Sequence, residues 1–340
     1  MQVAVVGAGS WGTAVSWLLG GKGLDVRLWA REPGIADGVN TSHRNPVYLR
    51  DVQLPLCIRA TSQLTEAVAG ANAVVIVTPS RGVRGVAETM ASILPSDTPV
   101  VSLAKGVEQN TLMRMTQVLE DVLGNRERLA ALSGPNHAEE VSKGIPSASV
   151  IAAHDDRVGR MLQEVFLTPT FRVYTNPDVV GVELCGASKN VIAVAAGMSD
   201  GLGYGDNTKA TLITRGLAEM SRLGARLGAR PLTYMGLAGM GDLIVTCTSR
   251  HSRNRALGEW VAKGGTMETY AEETHMVAEG ASSAVSVDDL AKSVGVELPI
   301  TQKVRAVLYE GLAPVDGGVA LMGRDAKDEM HGMGLVEDGA

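Results

Sequence analysis

Val3-Ala-Val-Val-Gly-Ala-Gly-Ser-Trp-Gly12 opens the chain with a short β-branched run and the pattern G-x-G-x-x-G, and Thr13 to Leu19 follow with helical apolar character. In that order the segment predicts a strand, a tight turn and a helix. Gly7 permits the turn, Gly9 lets a backbone approach a pyrophosphate, and Gly12 lets the helix pack against the strand. The helix start offers N–H groups and the positive end of its dipole. The reading is a dinucleotide-binding turn; a glycine turn in some other α/β unit is the alternative.

Further strands repeat along the first half. Asp25 to Trp29 reads as the second strand. Beyond it an NAD-preferring site carries an acid about 20 residues past the glycines. Here Ala30 and Arg31 come first and Glu32 follows. Arg31 suits a 2′-phosphate or an adenine ring; a solvated loop arginine is the plain alternative. Ala73 to Ser80 and Pro99 to Gly106 are continuous apolar runs, the mark of parallel strands buried on both faces. Lys105 falls at a strand's carboxyl end, where open α/β sheets bind ligands; it is otherwise a solvated loop lysine. Leu129 to Leu132, Ser149 to Ala153 and Phe171 to Tyr174 complete the strands, with Ser133-Gly-Pro-Asn136 marking a turn. Strands alternating with helices predict a doubly wound, mostly parallel sheet.

Composition narrows the possibilities. With 340 residues, 45% hydrophobic and 20% charged, the chain has the length of two domains and an ordinary globular make-up. A net charge of −6 argues against nucleic acid as the partner. Cys57, Cys185 and Cys247 lie far apart without a C-x-x-C, which suggests a reducing, cytoplasmic setting. Met1 to Gly21 carries no charged side chain, but it lacks a basic start and is broken by glycines, so neither a signal peptide nor a membrane span is expected. The six histidines show no metal-ligand spacing, and no metal site is expected.

After Tyr174 helical periodicity takes over. A boundary at Asn176-Pro177 divides residues 1–176 from a helical domain over 177–330, and 331–340 is expected to fray. Helices are predicted over Asp178–Met198, Thr208–Leu227, Ser252–Lys263, Ser283–Val294 and Ile300–Glu310. Gly236-Leu-Ala-Gly-Met-Gly-Asp242 reads as a glycine-rich connection with a carboxylate at its edge. Lys189, with Asn190 beside it, sits in the middle of the first, strongly apolar helix. A lysine there either reaches to the surface along its stem or works as an acid/base group. Ser249 to Arg255 is a basic cluster at a helix start. Ser252 can cap the helix and Arg253 can grip phosphate oxygens, or the cluster is a solvated basic face.

Taken together, Val5 to Thr13, Leu103 to Gly106, Ser133 to Pro135, Gly181 to Asn190, Gly236 to Cys247 and Ser252 to Asn254 make the chain resemble the bacterial glycerol-3-phosphate dehydrogenases that use NAD or NADP. The matching segments keep their order and span nearly the whole chain. The resemblance implies a Rossmann domain followed by an all-α substrate domain, usually in a homodimer. It assigns the proton acceptor to Lys189. Substrate contacts fall on Lys105, Gly134, Lys189, Asp242, Ser252, Arg253 and Asn254, and on Asn136, where many members carry serine. Cofactor contacts fall on the Gly7, Gly9 and Gly12 turn with Ser10 and Trp11, and on Arg31, Lys105, Ala138, Arg253, Val277 and Glu279.

The activity so implied is reversible reduction of dihydroxyacetone phosphate to sn-glycerol 3-phosphate, which supplies the glycerophospholipid backbone. NADP or NAD serves, with NADPH accepted because Arg31 stands where NAD sites carry an acid. The partners are small molecules, with no nucleic acid and no membrane span. Two other readings keep the same plan: a dehydrogenase acting on a β-hydroxyacid, and a non-enzymatic dinucleotide sensor. Lys189, Asp242 and the Ser252–Asn254 cluster disfavour the sensor.

Overall fold

The computed structural model describes residues 1–274, 278–326 and 328–329. The chain forms two compact units. One comprises Met1–Lys105 and Met113–Val179; the other comprises Gly106–Leu112 and the chain from Val180 onward. A single change of unit near Pro177 would leave Gly106–Leu112 with the sheet. Instead Val107 is buried among Leu184, Leu223 and Leu290 of the second unit.

The first unit is built on β1 (Gln2–Val6), β2 (Asp25–Trp29), β3 (Ile58–Thr61), β4 (Ala73–Ile76), β5 (Val100–Ser102), β6 (Leu129–Ser133), β7 (Ser147–Ala153) and β8 (Phe171–Asn176). They form one sheet in the order β3-β2-β1-β4-β5-β6-β7-β8. Every pairing is parallel except β6 with β7. Side-chain alternation explains the continuous apolar runs. Along β1, Val3 and Val5 enter one core while Ala4 and Val6 enter another. Along β4, Ala73 and Val75 join the first core, and Val74 and Ile76 the second. A strand covered on both faces needs no polar side. The strand order reverses between β1 and β4, and the glycine turn leaves β1 at its carboxyl end, where such sheets bind ligands.

The edge strand β3 was not legible in the sequence. It has four residues, Arg59 faces solvent, and only Ile58 and Ala60 are buried, too little periodicity to register.

Among its described residues the second unit contains helices and no strand. The longest, Val179–Gly201, is apolar enough to cross a membrane, yet 94% of its most hydrophobic window is buried inside the protein. It is a core helix. The expected connection at Gly236 to Asp242 is corrected by the structure: Leu237–Gly241 forms a π-helical turn that runs into the helix Asp242–Thr248. Glycine disfavours helix by propensity, but here close packing overrides it. A Cβ on Gly239 would lie 2.2 Å from the Tyr234 carbonyl oxygen.

Glu219, on the helix Asp206–Arg226, is buried and caps another helix, Pro299–Tyr309. The backbone N–H groups of Ile300 and Thr301 donate to its two carboxylate oxygens at 2.6 and 3.3 Å. Burial outweighs these bonds and pushes the carboxyl up to about 7. The folded state therefore holds this proton more tightly than the unfolded chain. The stability it contributes is complete below the ordinary carboxylate range and is lost as pH rises toward 7. Urea unfolding of the parent and of Glu219→Gln tests this. The parent should lose on the order of 3 kcal/mol more than the variant between pH 4 and pH 8. A difference between the two that does not change with pH would contradict it.

Candidate active site

In the first unit Gly7 and Gly12 fix the glycine turn, and Gly9 leaves it open. Gly7 has φ +121°, a conformation that favours glycine. A Cβ on Gly12 would stand 1.8 Å from the Gly7 carbonyl oxygen, whereas one on Gly9 would meet nothing within 4 Å. Gly9 is the N-cap of the helix Ser10–Gly21, and no side chain caps that end. The turn thus presents open space beside backbone N–H groups at a helix start, which fits a pyrophosphate. Asn45 pins the turn from outside, a role the sequence did not suggest. Its Nδ2 donates to the Ala8 carbonyl oxygen at 2.9 Å and to Thr13 Oγ1 at 2.8 Å. Trp11 packs against Phe171, ring centroids 6.4 Å apart, and its buried Nε1 has no hydrogen-bond partner among the described residues.

Arg31 follows β2, whose Trp29 carbonyl accepts from the Gly7 N–H at 3.1 Å, so the arginine leaves the sheet beside the turn. It is exposed and donates to Glu32 Oε1 through Nη2 at 2.7 Å and through Nε at 3.0 Å. Because β5 and β6 are neighbours, their carboxyl ends bring Lys105 to the turn after β6. Lys105 Nζ donates to the Gly134 carbonyl oxygen at 3.3 Å and to Asn136 Oδ1 at 3.4 Å. Asn136 Nδ2 in turn donates to Ser149 Oγ at 3.1 Å. Asn136 therefore links Lys105 to the sheet. Ala138 is buried at the first position of the short helix Ala138–Val141.

In the second unit Lys189 does not reach for solvent. It is buried, and its Nζ donates to Asp242 Oδ1 at 2.5 Å and to Thr246 Oγ1 at 2.6 Å. Asp242 and Thr246 are four apart on the helix Asp242–Thr248 and so share a face. Thr246 is the contact that sequence reasoning passed over, although the spacing from Asp242 was there to find. The Cys247 thiol next to it is buried and pushed up to about 12 by desolvation, so it stays protonated.

The helix Arg253–Ala262 starts beside this set. Ser252 caps it, Oγ accepting from the Arg255 N–H at 3.2 Å. Arg253 is exposed at the first turn, and among the described residues no carboxylate pairs with its guanidinium. Arg255 does not belong to an anion pocket: it is committed to Asp200 at 2.6 Å and to Glu259 at 3.5 Å. Asn254 is buried and ties three helices together. Its Nδ2 donates to Asn190 Oδ1 and its Oδ1 accepts from the Gly280 N–H, each at 2.9 Å. The residue after Lys189 is thereby bonded to the residue after Arg253. Glu279 begins the helix Glu279–Ser293 next to Gly280. Val277, expected as a cofactor contact, lies outside the described residues, as do His275 and 330–340.

This second set combines a buried amine held by a carboxylate and a hydroxyl with an exposed guanidinium at a helix start. The first offers proton transfer, the second an anchor for an anion.

Two family models match. The N-terminal domain of NAD-dependent glycerol-3-phosphate dehydrogenase covers residues 2–159, and the C-terminal domain of the same family covers 178–317. A glycerol-3-phosphate dehydrogenase [NAD(P)+] of Anaeromyxobacter dehalogenans is 48% identical over 332 residues, 97% of this chain and 100% of the relative. One from Moorella thermoacetica is 48% identical over 330 residues, 97% of this chain and 98% of its own. Among solved structures, glycerol-3-phosphate dehydrogenase from Coxiella burnetii superposes with a TM-score of 0.91 at 36% identity, covering 95% of this chain and 99% of that one. A ketopantoate reductase from Ralstonia eutropha, TM-score 0.61 at 18% identity over 94% of this chain and 100% of its own, shares the fold alone. The chain belongs to the NAD-dependent glycerol-3-phosphate dehydrogenase family.

Proposed function

We propose that the protein catalyses the reversible reduction of dihydroxyacetone phosphate to sn-glycerol 3-phosphate with NADPH or NADH. The observation that carries this reading is Lys189, buried and held by Asp242 and Thr246 in the unit that also presents Arg253. The setting proposed is a cytoplasmic homodimer whose product supplies the glycerophospholipid backbone.

When bound, the reduced nicotinamide supplies the hydride. The chain's own residues bind, orient and move a proton. Negative charge grows on the substrate's ketone oxygen as hydride reaches the carbon, and the Lys189 ammonium donates a proton to that oxygen. In the oxidising direction the neutral Lys189 amine takes the hydroxyl proton. Asp242 and Thr246 hold Nζ in place through both states. In the first unit Lys105, steadied by Asn136 and the Gly134 carbonyl, is the proposed substrate contact. Ser252, Arg253 and Asn254 take the phosphate end, with Arg253 making the charge-assisted contacts. Binding energy from that end aligns the carbon that reacts. The open turn at Gly9, with Ser10, Trp11 and Gly12, receives the pyrophosphate, and Arg31 meets a 2′-phosphate once it exchanges Glu32 for that anion. Ala138 and Glu279 complete the proposed cofactor contacts.

Oxidation of NADPH and of NADH in the presence of dihydroxyacetone phosphate, compared with a β-keto acid, tests the reading. Both cofactors should be consumed with the phosphorylated ketone. Turnover confined to the keto acid would replace the reading with that of a β-hydroxyacid dehydrogenase. Arg253→Ala should raise KM for dihydroxyacetone phosphate about tenfold to a hundredfold, the loss expected for a hydrogen bond to a charged group. An unchanged KM would remove Arg253 from the phosphate site.

A further inference from the structure

Asn45 is fully buried, and it holds more than the glycine turn. Its Nδ2 donates to the Ala8 carbonyl oxygen and to Thr13 Oγ1. Its Oδ1 accepts from the Val47 N–H at 3.0 Å and from the Tyr48 N–H at 2.9 Å. Two donors and two acceptor lone pairs are all that a side-chain amide has, and each is used. One side chain therefore ties the backbone of Tyr48 to the backbone of the glycine turn.

The chain from Arg44 to Tyr48 also folds back along the helix Pro33–Ser42. A Cβ on Gly38 would stand 2.8 Å from Pro46 Cδ, so Pro46 lies against that helix. Arg31 stands just ahead of the same helix, and Tyr48 is within electrostatic reach of it. Leu49 then takes φ +50°, a conformation that costs a leucine free energy. The Tyr48 side chain is 37% exposed, and among the described residues its hydroxyl has no hydrogen-bond partner. A single exposed aromatic residue means little by itself. This one is carried on a bonded, strained turn and stands by Arg31.

In a dinucleotide-binding sheet the pyrophosphate lies at the helix start. The adenosine runs from there to the end of the second strand, where an arginine accommodates a 2′-phosphate. Arg31 is at that end. The adenine of the same nucleotide presents a flat π-face, on which an aromatic side chain can stack.

We propose that Tyr48 lays its ring on the adenine of the bound cofactor, with Asn45 as the positioning residue that sets the ring beside the pyrophosphate turn. The proposal rests on the cofactor reading above and adds a contact that does not depend on the 2′-phosphate. NADPH and NADH share the adenine, so Tyr48 serves both, whereas Arg31 favours NADPH.

Isothermal titration calorimetry of the full chain with NADPH, NADH and reduced nicotinamide mononucleotide tests this in the parent, Tyr48→Ala and Tyr48→Phe. Tyr48→Leu stands in if the alanine variant fails to fold, as judged by circular dichroism. Tyr48→Ala should raise Kd for NADPH and for NADH by a similar factor, about fivefold to a hundredfold, the range for losing one base stack. Tyr48→Phe keeps the ring and should bind both as the parent does. The mononucleotide lacks adenine, and its affinity should not change in either variant. Unchanged dinucleotide affinity in Tyr48→Ala would overturn the proposal while sparing the cofactor reading. So would an equal loss for the mononucleotide, which would make Tyr48 a prop for the turn. A loss confined to NADPH and matched by Tyr48→Phe would assign the hydroxyl to the 2′-phosphate and overturn the stacking. A parent that binds neither dinucleotide would overturn the cofactor reading itself.

Discussion

An ammonium and a carboxylate stand 2.5 Å apart in the interior of the second unit, with side chains only 6% and 2% exposed. Taking two charges out of water costs several kcal/mol per ion, and their attraction often does no more than offset it. Apolar residues of the same volume would commonly hold such a helix pair as well or better. Stability is therefore a poor reason for Lys189 and Asp242 to be where they are. A proton carrier is a better one, because transfer needs an amine fixed in position and backed by a charge that tolerates both of its states. Thr246 completes the fixation, since its hydroxyl accepts from Lys189 and donates to the Asp242 carbonyl oxygen at 2.6 Å.

The helices around that pair approach one another so closely that backbone touches backbone. A Cβ on Gly197 would lie 1.9 Å from the Arg255 carbonyl oxygen, and one on Gly258 would lie 2.0 Å from that of Val194. This contact lets the short Asn254 side chain bridge to Asn190. It locks the turn bearing Arg253 to the helix bearing Lys189. The anion anchor and the proton carrier proposed for these two residues would then share one rigid frame, as orientation effects in catalysis require. In the first unit Asn45 serves the glycine turn in the same way, holding backbone that has few side chains of its own to hold it.

Much of this was legible in the chain. The buried strands announced themselves as continuous Val, Ala and Ile runs, and the glycine turn followed from its position between β1 and a helix. Lys189 was conspicuous as a cation in an apolar helix. What the sequence could not decide was where its charge went: Asp242 is 53 residues away, a pairing made by tertiary packing alone. The helical nature of Gly236 to Asp242 was hidden because local propensity points the other way and a contact at Gly239 decides. Strand β3 was too short, and nothing local marks Glu219, whose partner Ile300 is 81 residues away. Arg255 resembled Arg253 in the chain, and only the position of Asp200 separates the two.

The most direct test separates the pair's structural role from its chemical one. Lys189→Met alone strands a buried carboxylate and should cost about 3–5 kcal/mol of stability. Adding Asp242→Asn removes that charge and should restore most of the thermal midpoint and leave NADPH affinity at the parent level. Turnover of dihydroxyacetone phosphate by the double variant should nonetheless remain down by roughly 10²–10⁴, the range for losing a general acid/base. Recovery of kcat to within about threefold of the parent, far less than that range, would contradict the claim that Lys189 carries the proton.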